Sequence, residues 1–228
     1  MNKFFAMLAV VSFMALAGCE EANEDKIASA QACLDTATNA TVSVCEAMVA
    51  GVTGARAAVI RCSAAFISQN FTASRFANAF ITLKEQTSGQ NATLGMMSYL
   101  VFNYGTDNTD RLARVNAAVA ACDETGLPGM RMFANFAKAS TVLACGMPGL
   151  TIDPSNPPTP AELQANLATF NGSNADLGTS VLAVADSYCG TTSSTSNAAF
   201  CTQVNDAAAS GDPAAVGQRI RDLLAATP

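Results

Sequence analysis

Residues 107–124 read DNTDRLARVNAAVAACDE. Leu112, Val115, Val119 and Cys122 recur at alternating three- and four-residue steps, which is one stripe along a helix. Asp107 stands four residues before Arg111, and Asp110 four before Arg114. Both spacings are acid-first, the orientation that favours an ion pair on a helix surface. The same period extends outward in both directions. Phe76, Phe80 and Leu83 form a stripe opposite Ser74, Asn78 and Glu85. Leu163, Leu167 and Phe170 share a face, as do Leu177, Val181, Val184 and Tyr188, and as do Val216, Ile220 and Leu223. Thr159-Pro160-Ala161-Glu162 holds an N-cap, a proline at the first helical position and the returning carboxylate of a capping box. Alanine is abundant, β-branched runs are short and tryptophan is absent. The pattern predicts an all-α fold, a compact multi-helix bundle of antiparallel helices held by intramolecular disulfides.

Breaks fall at TNAT (38–41), VTG (52–54), SGQN (88–91), NYGTDN (103–108), TGLPG (125–129) and TTSSTS (191–196). The longest, GMPGLTIDPSNPPTP (146–160), carries prolines that forbid a continuous helix. The expected organisation is a main helical region over 28–147, a Pro-rich linker over 148–160, and C-terminal helices over 161–228 packing on the main region. Asn39, Asn70, Asn91 and Asn171 each open an N-x-S/T triplet, which local capping and turn chemistry explains without glycosylation.

The chain starts MNKFFAMLAVVSFMALAGCEEANEDK. Its apolar run is roughly 14 residues, short of the ~20 a membrane-spanning helix needs. One lysine, a short apolar stretch and small residues before the break describe an export signal over residues 1–18. Leu16-Ala17-Gly18-Cys19 resembles the lipobox of bacterial lipoprotein precursors. The resemblance implies cleavage after Gly18, a diacylglycerol thioether and an acyl chain on Cys19, and an outer-membrane, lipid-anchored location. Residues 19–27 then serve as an acidic tether. No other cofactor is expected.

The whole chain has 12 basic and 18 acidic residues, and the export signal takes Lys3 with it. Nucleic acid, which is bound by clustered Lys and Arg, is not an expected partner. There is no histidine. Ser-His-Asp and Cys-His catalysis and His-ligated zinc therefore have no basis here. The cysteines beyond Cys19 are Cys33, Cys45, Cys62, Cys122, Cys145, Cys189 and Cys201, with no C-x-x-C pair, so no metal is expected. In an exported chain, widely spaced cysteines are most simply disulfide partners. An odd number leaves three bridges and one free thiol. Cys189 and Cys201 flank the TTSSTS loop and make the preferred local pair. Cys45 is placed symmetrically with Cys62 about VTG and equally with Cys33 about TNAT, so these alternatives exclude each other. Cys122 and Cys145 are left to each other or to the N-terminal cysteines. Asp107, Asp110, Asp123 and Glu124 are the conceivable catalytic acids, but helix-end roles account for them. No activating base stands near Cys122 or Cys145 in the sequence. A non-enzymatic protein is expected.

Two segments are apolar on many sides: LGMMSYLVFNY (94–104) and GMRMFANFAKASTVLACGM (129–147). Read as helices, they are either central members of the bundle or walls facing lipid or another subunit. On the second reading Met96, Met97, Leu100, Val101, Met132, Phe133, Phe136 and Leu143 face acyl chains or a neighbouring subunit. Arg131 and Lys138, in a narrow stripe with Asn135, then reach lipid phosphates. An acylated, cysteine-containing, Ala- and Met-rich helical chain of this layout also resembles the predator outer-membrane protein family, once described as porins. Members are helical lipoproteins forming bowl-shaped pentamers that enclose lipid. The resemblance implies a homo-oligomer, a pentamer, with membrane lipid as its partner and these two segments as its walls. The expected function is a self-associating outer-membrane lipoprotein that binds or encloses lipid. The alternative is a monomeric, periplasm-facing adaptor that grips a protein.

Overall fold

The computed structural model describes residues 22–85, 95–150, 158–189 and 198–225. Residues 1–18, expected as an export signal, Cys19, SGQN, Asn91, residues 151–157 of the Pro-rich linker and TTSSTS lie outside the described residues. So do the side chains of Phe80, Leu83 and Tyr188.

Among the described residues every regular element is helical. In chain order they are α1 (22–34), α2 (Val42–Ala47), α3 (Ala55–Ser68), α4 (Ala73–Glu85), α5 (95–99), α6 (Asn108–Asp123), α7 (Pro128–Gly146), α8 (Pro160–Leu167), α9 (Asn174–Val184), α10 (Ala198–Ala208) and α11 (Pro213–Ala225). α9 runs on into a π-helical turn over Ala185–Cys189. Helix α1 begins inside the stretch expected as tether and buries Ile27.

Local chemistry sets the ends. Asp107 accepts from the Asp110 amide at 2.8 Å, and Ser173 accepts from the Asp176 amide at 3.0 Å. Thr159 and Glu162 form the expected capping box ahead of α8. Asn70 turns the chain after α3 with φ 56°, a left-handed conformation that asparagine tolerates. Thr72 then accepts from the Arg75 amide at 3.2 Å as α4 begins. The N-x-S/T triplets at 39, 70 and 171 thus sit at turns and caps.

Four clusters of apolar side chains fill the interior. Ile27, Ala30, Leu34, Val42, Cys45, Val49 and Ile60 join α1, α2 and α3. Phe66, Phe71, Phe102, Val115, Ala118 and Cys122 join α3, α6 and α7. Leu143, Met147, Leu163, Leu167, Leu177 and Leu224 join α7, α8, α9 and α11. A small group around Val181, Val204 and Val216 closes α9, α10 and α11 together. In α11 it is Leu224, not the expected Leu223, that turns inward: Leu223 is 38% exposed. Gly178 of α9 faces the Pro213 carbonyl, and Gly217 of α11 faces the Asn174 carbonyl, so the two backbones cross where neither could carry a side chain. Through these contacts the C-terminal helices pack on α7.

Three bridges connect Cys33 to Cys45, Cys62 to Cys122 and Cys189 to Cys201, with Cα separations of 5.4, 4.9 and 5.3 Å. Cys145 is the free thiol. The first bridge closes the α1–α2 corner about TNAT, and the second ties the middle of α3 to the end of α6.

The stretch 94–104 differs from a single helix. Only 95–99 is helical, and residues 101–104 form no regular element, with Val101 and Phe102 buried. A buried segment outside any helix must find partners for its backbone groups. Phe102 donates its amide to Thr141 Oγ1 at 3.0 Å. The Gln69 side chain both accepts from the Tyr104 amide and donates to its carbonyl, at 2.9 and 3.1 Å. Arg75 donates from Nε to the Tyr99 carbonyl at 2.6 Å, from Nη2 to Val101 at 2.7 Å and from Nη1 to Gln69 at 2.8 Å.

Candidate functional site: an apolar groove

The residues expected at a lipid-facing or subunit-facing wall divide in two. Met96, Met97, Leu100, Val101 and Leu143 are buried. Their apolar surroundings are the other helices of the same chain, so the wall reading is corrected for all five. Met132, Phe133 and Phe136 are half-buried, with Phe133 and Phe136 packed against the α3–α6–α7 cluster. Within the basic stripe, the reading is corrected at Arg131. Arg131 lies 3.1 Å from the Asp123 carboxylate and 3.8 Å from that of Asp186, linking the end of α6 to the π turn. Asn135 is buried and donates to the Arg131 carbonyl at 2.9 Å. Lys138 is half-buried. A cation held between two carboxylates is not poised for a phosphate.

The conceivable catalytic acids have structural partners. Asp107 caps α6, while Arg111 turns to the Asn108 side-chain oxygen at 3.4 Å, so the expected Asp107–Arg111 pair does not form. Asp110 pairs with Arg114 at 3.1 Å, as expected, and also accepts from the Thr106 amide at 3.0 Å. That amide, followed by the Arg114 side chain, holds the Asp110 carboxyl below its ordinary range. Asp123 pairs with Arg131, and Glu124 lies 2.8 Å from Arg61. Cys122 is spent in a bridge. Burial raises the Cys145 thiol above its ordinary value, against the pull of Arg111, which disfavours the reactive thiolate. No group of three or more Cys, Asp or Glu side chains placed to hold a metal occurs among the described residues.

What the fold does assemble is an open, apolar groove of about 400 Å³ where α3, α4 and the start of α7 meet. Phe66, Phe71, Phe76, Phe133, Met130 and Ile67 line it, with Ser63 as a polar edge. The rings form one connected set. Centroids of Phe66 and Phe71 are 5.1 Å apart, those of Phe66 and Phe133 5.1 Å, and those of Phe76 and Phe133 4.8 Å. Such tilted and edge-on pairs are favourable for aromatic quadrupoles. The Arg75 guanidinium sits 4.0 Å over the Phe71 ring and backs the groove from inside.

Sequence reasoning found one member of this lining, Phe133. It missed Phe66, Phe71 and Met130, and placed Phe76 only on a helix stripe. Phe66 and Phe71 flank the α3–α4 turn, and no period joins residues across a turn to the start of a helix 60 residues on. The one available signal is the density of phenylalanine in residues 66–80. No helix among the described residues is long and apolar enough to cross a membrane. The chain matches no family model, no curated protein and no solved structure.

Proposed function

We propose that the protein is an exported, lipid-anchored lipoprotein of the outer membrane without catalytic activity, whose helical body binds the hydrocarbon of membrane lipid. The observation that carries this reading is the phenylalanine groove. Nearly all of its described lining is carbon: four phenylalanines, a methionine and an isoleucine, with Ser63 the one hydroxyl. A bound peptide would bring backbone amides and carbonyls that need partners, and such a wall offers almost none. An acyl chain brings no polar groups and loses nothing by entering. Acylation at Cys19 would keep the groove near a bilayer, a concentrated source of such chains.

The burial of Met96, Met97, Leu100, Val101 and Leu143 favours a body that stands alone over a pentamer walled by these residues. The adaptor reading therefore stays as the second one, with an apolar protein segment as the groove's occupant.

The mature chain, taken from membranes of its host and stripped of detergent, should retain phospholipid in native mass spectrometry and by solvent extraction. Met130→Glu and Phe133→Asp place a charge in the half-exposed lining and should release that lipid with helicity unchanged. Lipid-free protein from native membranes, or a Met130→Glu protein that keeps its full complement of lipid, overturns the lipid reading. A co-purifying protein lost in the same variants favours the adaptor.

A further inference from the structure

A second open groove, of about 420 Å³, runs between α1 and α3. Ile27, Ala28, Gln31, Ala32, Val59 and Ile60 supply most of its lining. Ile27 and Ile60 form a buried floor, while Ala28 and Ala32, one helical turn apart, are exposed. Their small side chains are what keep the groove open. Arg56 also lines it and pairs with Glu24 in the first turn of α1, so the groove reaches the end of the body nearest Cys19.

We propose that this groove takes one of the acyl chains carried by Cys19, folded back along α1 whenever the protein is away from a bilayer. The proposal rests on the acylation reading and is independent of what fills the phenylalanine groove. Chain length argues for this occupant. Cys19 stands three residues before the first residue of α1, and three residues reach at most ~10 Å however they run. Ile27 lies about 8 Å along the helix from its start. An acyl chain tied to Cys19 therefore meets this apolar surface at very high effective concentration, before any free molecule does. Hydrocarbon also suits the lining, where the floor is isoleucine and alanine and the polar groups Gln31, Asp35 and Arg56 are exposed to water. Two acyl chains already give firm anchoring. At a membrane the chains stay in the bilayer, whereas in water one of them gains in the groove the cover that it otherwise lacks.

The full precursor is expressed in a host fed a photoreactive, diazirine-bearing fatty acid, and peptide mass spectrometry first reads the N-terminus. A bare thiol at Cys19, or retention of residues 1–18, removes the acylation reading and this proposal together. With acylated protein, irradiation free of detergent should put most cross-links on peptides containing residues 27–32 and 56–60. In phosphatidylethanolamine vesicles the label should pass to lipid. The double variant Ala28→Phe, Ala32→Phe changes exposed positions only. It should keep its helicity and its three bridges while labelling of those peptides falls several-fold. Acylated protein whose cross-links scatter over the surface, join a second copy, or persist undiminished in the double variant overturns the proposal and leaves acylation standing.

Discussion

Arg75 is 6% exposed, and its donors go to three carbonyls rather than to a carboxylate. Burial pulls its pKa down to about 10, which leaves it charged at neutral pH. Its strength lies in the fork: a planar cation spans the ends of α3 and α5 and the buried Val101 carbonyl at once. Arg75→Met should therefore cost on the order of 3 kcal/mol, because the carbonyls of Gln69, Tyr99 and Val101 lose a partner where water does not replace it. Arg75→Lys should fall between that and wild type, since one ammonium cannot copy the fork; urea midpoints read both. Thr141→Val tests the next residue of the same segment, Phe102. The shape is kept, but the Phe102 amide loses its acceptor, and a loss of about 1–3 kcal/mol is expected. None of this was legible in the sequence. Sequence reasoning assigns no role to Arg75 or Thr141, because the backbone groups they serve sit 24 to 39 residues away.

At the scale of elements, the helical period located most helices, and the capping chemistry of α8 was read residue for residue from Thr159-Pro160-Ala161-Glu162. Local signals are legible because the atoms that make them are neighbours in the chain. The wall assignment failed at Met96, Met97, Leu100, Val101 and Leu143 for a different physical reason. A helix surrounded by other helices and a helix surrounded by lipid both need apolar residues on every side, so periodicity cannot tell them apart. The non-helical segment at 101–104 was missed likewise, since its backbone partners are Arg75, Gln69 and Thr141. The caps carry a pH dependence with a definite sign. The Glu162 carboxyl is held below its ordinary value of 4.5 by the Thr159 amide and then the Thr159 hydroxyl, and Asp110 below 3.8 by the Thr106 amide and then Arg114. A depressed folded-state value gives stability that is present above the ordinary value and is lost as pH falls through the depressed one. Urea unfolding should weaken below those ordinary values, and Glu162→Gln should show a shallower acid limb. The α9–α11 crossing gives a sharper test. Gly178→Ala or Gly217→Ala sets a methyl against a backbone carbonyl of the facing segment, and about 1–3 kcal/mol should be lost as the helices part.

Across the whole molecule, the bridges differ in what they close. Cys62–Cys122 spans 60 residues and Cys33–Cys45 spans 12. Loop entropy gives about 4 kcal/mol for the first and about 3 for the second. Replacing both members of the 62–122 pair with alanine should lower stability further than the same change at 33 and 45, in denaturant titrations under non-reducing conditions. The number of bridges was legible from the odd count of cysteines beyond Cys19, and the 189–201 pairing from its loop. The choice of Cys33 over Cys62 for Cys45 was not, because two turns offered equal symmetry and only the docking of α3 on α6 breaks the tie. The order of the bridges has its own consequence. Along the chain Cys33 joins Cys45, Cys62 joins Cys122 and Cys189 joins Cys201, so each partner is the next cysteine to emerge and no link encloses another. A polypeptide threaded into an oxidising compartment from its amino end would reach native connectivity by joining thiols as they arrive, passing over only Cys19 and Cys145. Its maturation should need an oxidant and very little reshuffling. Yield in a host lacking its disulfide isomerase should stay close to normal, whereas loss of the oxidase should abolish it.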